Sequence, residues 1–276
     1  MIAANHCRLT RFRPRQRVVV LAVAGLLLLP IGCAARSSDD QHSNGTVGQD
    51  APGAIIVSTA ASLALAFGAI REAFLASHPG DAISLNVGSS GQLAQQLESG
   101  AAADVVAFAD IETMNRVERQ GLIRSPFAVF ATTQMALATK PTNPLGIKNL
   151  DDVVRARSVS LCVDSAPCGR YADAILASAK VFIDESLITR GLDARATIGA
   201  VVNGDADIAI VYEPDLIAAG DRVHAMSIPS NVNQKASFTI ASSQTTQQQT
   251  LSEQFVSFVQ GLDGQSILHD FGFSGP

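Results

Sequence analysis

Ala54-Ile55-Ile56-Val57-Ser58-Thr59-Ala60-Ala61-Ser62-Leu63 passes from a short apolar run into a segment where Leu63, Ala66, Phe67, Ile70 and Phe74 recur at helical spacing. An apolar run of this length, followed at once by a 3.6-residue period, reads as a buried strand feeding a helix. Pro79-Gly80 closes the unit, and the pattern repeats twice. Ile83 to Val87 is a second strand, and Ser90 to Ser99 a helix with Leu93 and Leu97 on its apolar face and Gly100 as its stop. Val105 to Phe108 is a third strand, and Asp110 is the expected N-cap of a helix over Ile111 to Gln120. Three strand–helix units in succession predict parallel strands joined by right-handed crossovers. The chain is 47% hydrophobic but only 5% aromatic and lacks Trp, the balance of Ala-rich helices on Val/Ile strands and hence of an α/β protein.

Two serine-bearing junctions, Ala60-Ala61-Ser62-Leu63 and Gly88-Ser89-Ser90-Gly91, fall where strand gives way to helix. Open α/β sheets bind ligands at the carboxyl ends of their strands. There a serine hydroxyl, together with the unpaired N–H groups of a helix's first turn, makes a seat for an anion. The plainer reading makes Ser62 and Ser90 ordinary N-caps, and Asp104 and Asp110 cap or turn residues.

Further along, Phe127 to Thr139 carries two apolar pieces separated by Thr132-Thr133-Gln134, as expected of a chain crossing between lobes. A second alternating set follows: helix near Leu150 to Arg155, strand Val159 to Val163, helix Gly169 to Ala179, helix Ala194 to Val202 and strand Ile208 to Val211. Phe238 to Ala241 is the expected return crossing. The amphipathic segments Leu251 to Val259 and Ser266 to Phe271 are expected to fold back on the first lobe. The resulting division is 54–131 plus 237–276 for lobe I and 132–236 for lobe II.

Upstream, Arg8, Arg11, Arg13, Arg15 and Arg17 precede an apolar run from Val18 to Leu29 that closes on Pro30-Ile31-Gly32-Cys33. This reads as an export signal over 1–32 with Cys33 as the lipidation site, although Pro30 stands where such signals usually carry Leu. A membrane-spanning helix is the alternative, against which the run is short of the roughly 20 apolar residues needed. Residues 33–53, rich in Ser, Asp, Gly, Gln and Asn, read as a disordered tether. Loss of the five signal arginines takes the formal charge from −5 to about −10, which excludes a nucleic-acid-binding face. Of four cysteines, Cys7 leaves with the signal and Cys33 is acylated, so Cys162 and Cys168 remain. A disulfide is expected in an oxidising compartment, and a metal or redox site is the alternative, disfavoured by the C-x5-C spacing without a nearby His.

Taken together, Val57 to Leu63, Gly88 to Leu97, Gly100 to Asp110, Pro167-Cys168-Gly169-Arg170-Tyr171-Ala172, Gly204 to Tyr212 and Phe271-Gly272-Phe273 resemble, in order, the molybdate-binding components of bacterial ABC importers. These are type II periplasmic binding proteins. The resemblance implies two lobes with mixed, mostly parallel sheets and a ligand cleft between them. It also implies a non-catalytic monomer without cofactor that holds molybdate or tungstate and delivers it to a membrane permease driven by an ATPase. Carried over by position, the oxyanion donors are the Ala60 amide, the Ser62 and Ser90 hydroxyls, the Cys168 and Ala194 amides and the Tyr212 hydroxyl. Cys168 replaces a usual Ala, and Ala194 a common Val.

Charge-assisted hydrogen bonds contribute roughly 1.5–3 kcal/mol each, so about six neutral donors can offset desolvation of a dianion. None of these positions offers a carboxylate, so protonated phosphate is expected to be rejected for want of an acceptor. Two other classes compete. A secreted serine hydrolase is suggested by Gly88-Ser89-Ser90-Gly91, but Gln92 breaks the G-x-S-x-G elbow. A structural lipoprotein with a vestigial cleft is the other.

Overall fold

The computed structural model describes residues 53–276. The proposed signal, Cys7, Cys33 and all but the last residue of the proposed tether lie outside the described residues. β1 (Ala54–Ala60) runs through a 3-10 turn (Ala61–Leu63) into α1 (Ala64–Ser77). β2 (Ala82–Gly88) feeds α2 (Ser90–Glu98), and β3 (Val105–Phe108) feeds α3 (Ile111–Arg119). After β4 (Ala128–Thr139) come β5 (Val159–Cys162), α4 (Pro167–Ala179), β6 (Ile188–Gly191), α5 (Ala194–Val202), β7 (Ile208–Tyr212) and α6 (Glu213–Ala219). β8 (His224–Ser227), β9 (Lys235–Ser242), α7 (Gln249–Gln260) and α8 (Leu262–Asp270) complete the chain. Among the described residues no helix is long and apolar enough to cross a membrane.

The strands hydrogen-bond in the order β2-β1-β3-β9-β4-β7-β5-β6, with β8 on β4. β1 pairs in parallel with β2 and β3, as three successive strand–helix units require, and β5 pairs in parallel with β6 and β7. The antiparallel pairings gather around β4 and β9, between these two parallel groups.

Register places the site. Ala60 lies opposite Gly88, so the two serine junctions leave the sheet side by side. In the other group Cys162 lies opposite Gly191, aligning the strand ends that lead into α4 and α5.

Several elements differ from the sequence reading. β4 is one continuous strand, because Thr132, Thr133 and Gln134 pair with Ser237, Ala236 and Lys235 of β9, with Thr132 and Thr133 buried within the sheet. Leu150–Arg155 is a 3-10 segment, and α4 starts two residues early because Pro167 suits a first helical position. β6, β8 and α6 carried no clear periodicity; α6 is only seven residues long and β6 and β8 four each.

Phe67, Phe74 and Phe255 are fully buried and join α1 to α7, with ring centroids 6.1 Å apart for Phe67–Phe255 and 5.4 Å for Phe74–Phe255. Burying each such ring contributes about 1.5–3 kcal/mol. The C-terminal helices are thereby fixed on the β1–β3 side.

Candidate functional site

At the end of β1, Ala60 is extended (φ −55°, ψ 142°) and opens the 3-10 turn without any side-chain cap. The first N–H groups of that turn therefore have no partner within it. Ser62 sits on the turn, half-buried. At the end of β2 the capping residue is Ser89, whose Oγ accepts the Gln92 N–H at 3.2 Å. Ser90 is left for other work. Its Oγ accepts the Ala109 N–H at 2.9 Å, which occupies a lone pair and leaves the hydroxyl proton free to donate. Neither Ser62 nor Ser90 is an N-cap.

From the other side, α4 begins at Pro167 after an uncapped Ala166, and α5 begins at Ala194 after Asp193, whose Oδ1 accepts the Ala196 N–H at 2.9 Å. A disulfide joins Cys162 at the end of β5 to Cys168 in the first turn of α4, with S–S 2.03 Å and Cα–Cα 5.7 Å. It ties the intervening loop to the sheet, so neither thiol is available to a metal or a redox partner. Tyr212 ends β7, 1% exposed, its ring edge-on to Phe238 at 5.5 Å and to Tyr171 at 6.3 Å. The Tyr212 Oη is buried without a hydrogen-bond partner. Burial pushes its pKa well above the usual phenol value, so the group stays a neutral donor.

Ala60, Ser62, Ser90, Cys168, Ala194 and Tyr212 all line one small cavity. Ala61, Ser89, Ala109, Ala166, Pro167 and Asp193 complete its wall. The openings of the 3-10 turn, α2, α4 and α5 therefore converge on one small space. Each helix N-terminus acts like about half a positive charge. Among the described residues no Lys or Arg lines the cavity, and Asp193 is the one charged residue in its wall.

Asp193 is the residue that sequence reasoning missed. The exclusion of protonated phosphate assumed a wall without any carboxylate, and the wall contains one. Its signal was the Asp immediately before the Ala194 helix, an N-cap position that necessarily neighbours the Ala194 amide. Asp104, by contrast, is structural: its Oδ2 accepts the Ile56 N–H at 2.7 Å and its Oδ1 the Thr246 hydroxyl at 2.5 Å.

Beside the cavity, Arg170 on α4 is hydrogen-bonded to Asp110, the cap of α3, and to Thr113 Oγ1 at 3.2 Å, with Glu112 Oε2 3.3 Å away. Behind Tyr212, the buried Asp215 accepts the Tyr212 N–H at 3.3 Å. Desolvation pushes the Asp215 pKa up to about 7, opposed by that hydrogen bond and by Arg195. Burial likewise pushes Tyr171 up to about 12.

Paired parallel strand groups whose loops and helix starts close on one donor-lined space are matched by a known sequence profile. Residues 55–274 fit that of the bacterial extracellular solute-binding proteins. The chain belongs to this family. Within it, the chain is 31% identical over 260 residues to the molybdate-binding protein ModA of Mycobacterium tuberculosis, covering 94% of this chain and 96% of that one. It is 25% identical over 216 residues to a sulfate-binding protein of Synechococcus elongatus, covering 67% of this chain and 61% of that one. Among solved structures, the periplasmic molybdate-binding protein of Azotobacter vinelandii superposes with a TM-score of 0.73 at 19% identity, over 80% of this chain and 99% of that one. The fold is the two-lobe fold of periplasmic binding proteins.

Proposed function

We propose that this chain is an extracytoplasmic receptor that captures molybdate, and tungstate with it, and delivers it to an ABC importer. The observation that carries this reading is the buried, unpartnered Tyr212 hydroxyl in the wall of a small cavity whose other polar groups are hydroxyls, helix-start amides and the single Asp193 carboxylate. An orphaned buried hydroxyl costs about 1–3 kcal/mol. A ligand oxygen in the cavity removes that cost. The space that these groups line is small, which favours a compact inorganic anion over an organic ligand.

In this reading the Ala60, Cys168 and Ala194 amides and the Ser62, Ser90 and Tyr212 hydroxyls donate to the four oxygens. The lobes are 54–131 plus 237–276 and 132–236, and β4 and β9 connect them. The protein is a monomer without cofactor and not an enzyme. Ser90 Oγ is engaged by a peptide N–H, and among the described residues no His lines the cavity to act as its base. The signal over 1–32, the tether over 33–53 and lipidation of Cys33 place the receptor on the outer face of the cytoplasmic membrane, beside a permease with its ATPase.

Sulfate is the second reading, favoured by the relative in Synechococcus and by a donor set that any fully deprotonated tetrahedral dianion satisfies. Calorimetric titration with molybdate, tungstate, sulfate and phosphate separates the readings. Tight binding of the first two and weak binding of sulfate is the expected result. Sulfate binding tighter than molybdate transfers the receptor to sulfate, and heat from none of the four defeats it.

A further inference from the structure

Gly91 occupies the second position of α2, where glycine is a poorer helix former than alanine. Its surroundings explain the choice. A Cβ on Gly91 would lie 2.0 Å from the Ser165 carbonyl oxygen and 3.0 Å from its carbon, far inside contact distance. Ser165 stands on the disulfide-tied loop that leads into α4, so the contact joins the wall built on β2 to the wall built on β5.

Sequence order fixes what this contact does. Ser90 and Ala166 line the inner cavity, while their neighbours Gly91 and Ser165 line an outer groove shared with Gln92, Arg116 and Leu192. The Gly91–Ser165 approach therefore stands between the anion seat and the groove outside. Both carbonyls are held from behind: Arg116 Nη2 donates to Gly91 O at 3.2 Å, and Arg170 Nη1 donates to Ser165 O at 3.2 Å. Moving the Ser165 carbonyl aside for a methyl group would cost its hydrogen bond to Arg170.

We propose that Gly91 is the residue that permits the receptor to close, because its missing side chain lets the two walls meet main chain to main chain and seal the oxyanion cavity. The inference rests on the receptor reading. It makes Gly91 a positioning residue for affinity, with a signature that a merely structural role does not give. In the open form nothing opposes an alanine, which is also the better helix former, whereas in the closed form the added methyl holds the walls apart.

The test compares wild type, Gly91→Ala and the control Gly68→Ala, which sits on α1 with nothing within 4 Å of an added Cβ. Molybdate affinity is measured by calorimetry, unliganded melting temperature by circular dichroism, and compaction on adding molybdate by small-angle X-ray scattering. For Gly91→Ala the expected result is an affinity at least tenfold weaker, no ligand-induced compaction and an unliganded melting temperature equal to or above wild type. Gly68→Ala is expected to bind and compact as wild type does. Affinity within tenfold of wild type, compaction like wild type, or a destabilised unliganded Gly91→Ala overturns the inference. If wild type itself binds none of the four oxyanions, the receptor reading fails instead, and that result is visible before any variant is compared.

Discussion

Arg170 and Asp110 join the first turn of α4 to the capping residue of α3, a direct ion pair between helices that follow strands of the two different parallel groups. Asp110 is almost wholly buried and also accepts the Thr113 N–H at 3.1 Å, while Arg170 keeps about a third of its side chain exposed. The pair thus spans the two walls beside the cavity. Arg170→Ala is expected to weaken oxyanion binding by about 1–2 kcal/mol, between the values for exposed and buried pairs. Affinity equal to wild type at both low and high salt would show that the pair does not report on closure.

Tyr212→Phe removes a buried hydroxyl that has no hydrogen-bond partner within the protein and leaves the ring against Phe238 and Tyr171. Stability without ligand is expected to hold or rise, while molybdate binding weakens by about 1.5–3 kcal/mol, roughly ten- to a hundredfold or more. Calorimetry paired with thermal melts reads both signs. Unchanged affinity would remove Tyr212 from the site.

The two serines are expected to behave differently. Ser62→Ala deletes a donor from a half-buried position and is expected to reduce affinity alone. Ser90→Ala also strips the Ala109 N–H of its acceptor and is expected to cost about 1–3 kcal/mol of stability besides. Denaturant titrations of both variants make the comparison, and equal stability losses would contradict the assigned roles.

Asp193→Asn keeps an oxygen for the Ala196 N–H and deletes the one charge in the cavity wall. Molybdate affinity is expected to rise by about tenfold, close to 1.4 kcal/mol, as repulsion of the dianion is relieved. A fall in affinity would mean that the carboxylate serves the ligand as an acceptor.

Asp215 gives the protein a pH-dependent stability. Its pKa is about 7 in the folded protein against an ordinary value of 3.8, so the native state holds a proton that the unfolded chain releases. The contribution is fully present below the unfolded pKa and is lost as pH rises through about 7. Asp215→Asn, which can still accept the Tyr212 N–H, is expected to flatten the melting temperature between pH 4 and about 7. A pH profile identical to wild type would show that Asp215 does not carry this dependence.

The alternation of apolar runs with helical periods over 54–120 was enough to specify an α/β chain with parallel strands, because side-chain spacing is a local property that a strand or helix must satisfy by itself. The junction serines were legible for the same reason, as was the Cys162–Cys168 pair, since compartment and spacing restrict a disulfide without reference to the rest of the fold. The roles within each junction were not. Ser89 rather than Ser90 caps α2, and Ser90 is committed to the peptide N–H of Ala109, a residue at the exit of β3, two strands over in the sheet. The continuity of β4 through Thr132 was decided by pairing with β9, far away in sequence. The entry of Asp193 into the cavity wall and the approach of Gly91 to Ser165 likewise depend on segments meeting across the fold. Sequence by itself determined the elements and the chemical character of their ends. Tertiary structure alone decided which ends share a cavity and which hydroxyls and glycines are committed there, because those properties are distances between residues that no local pattern records.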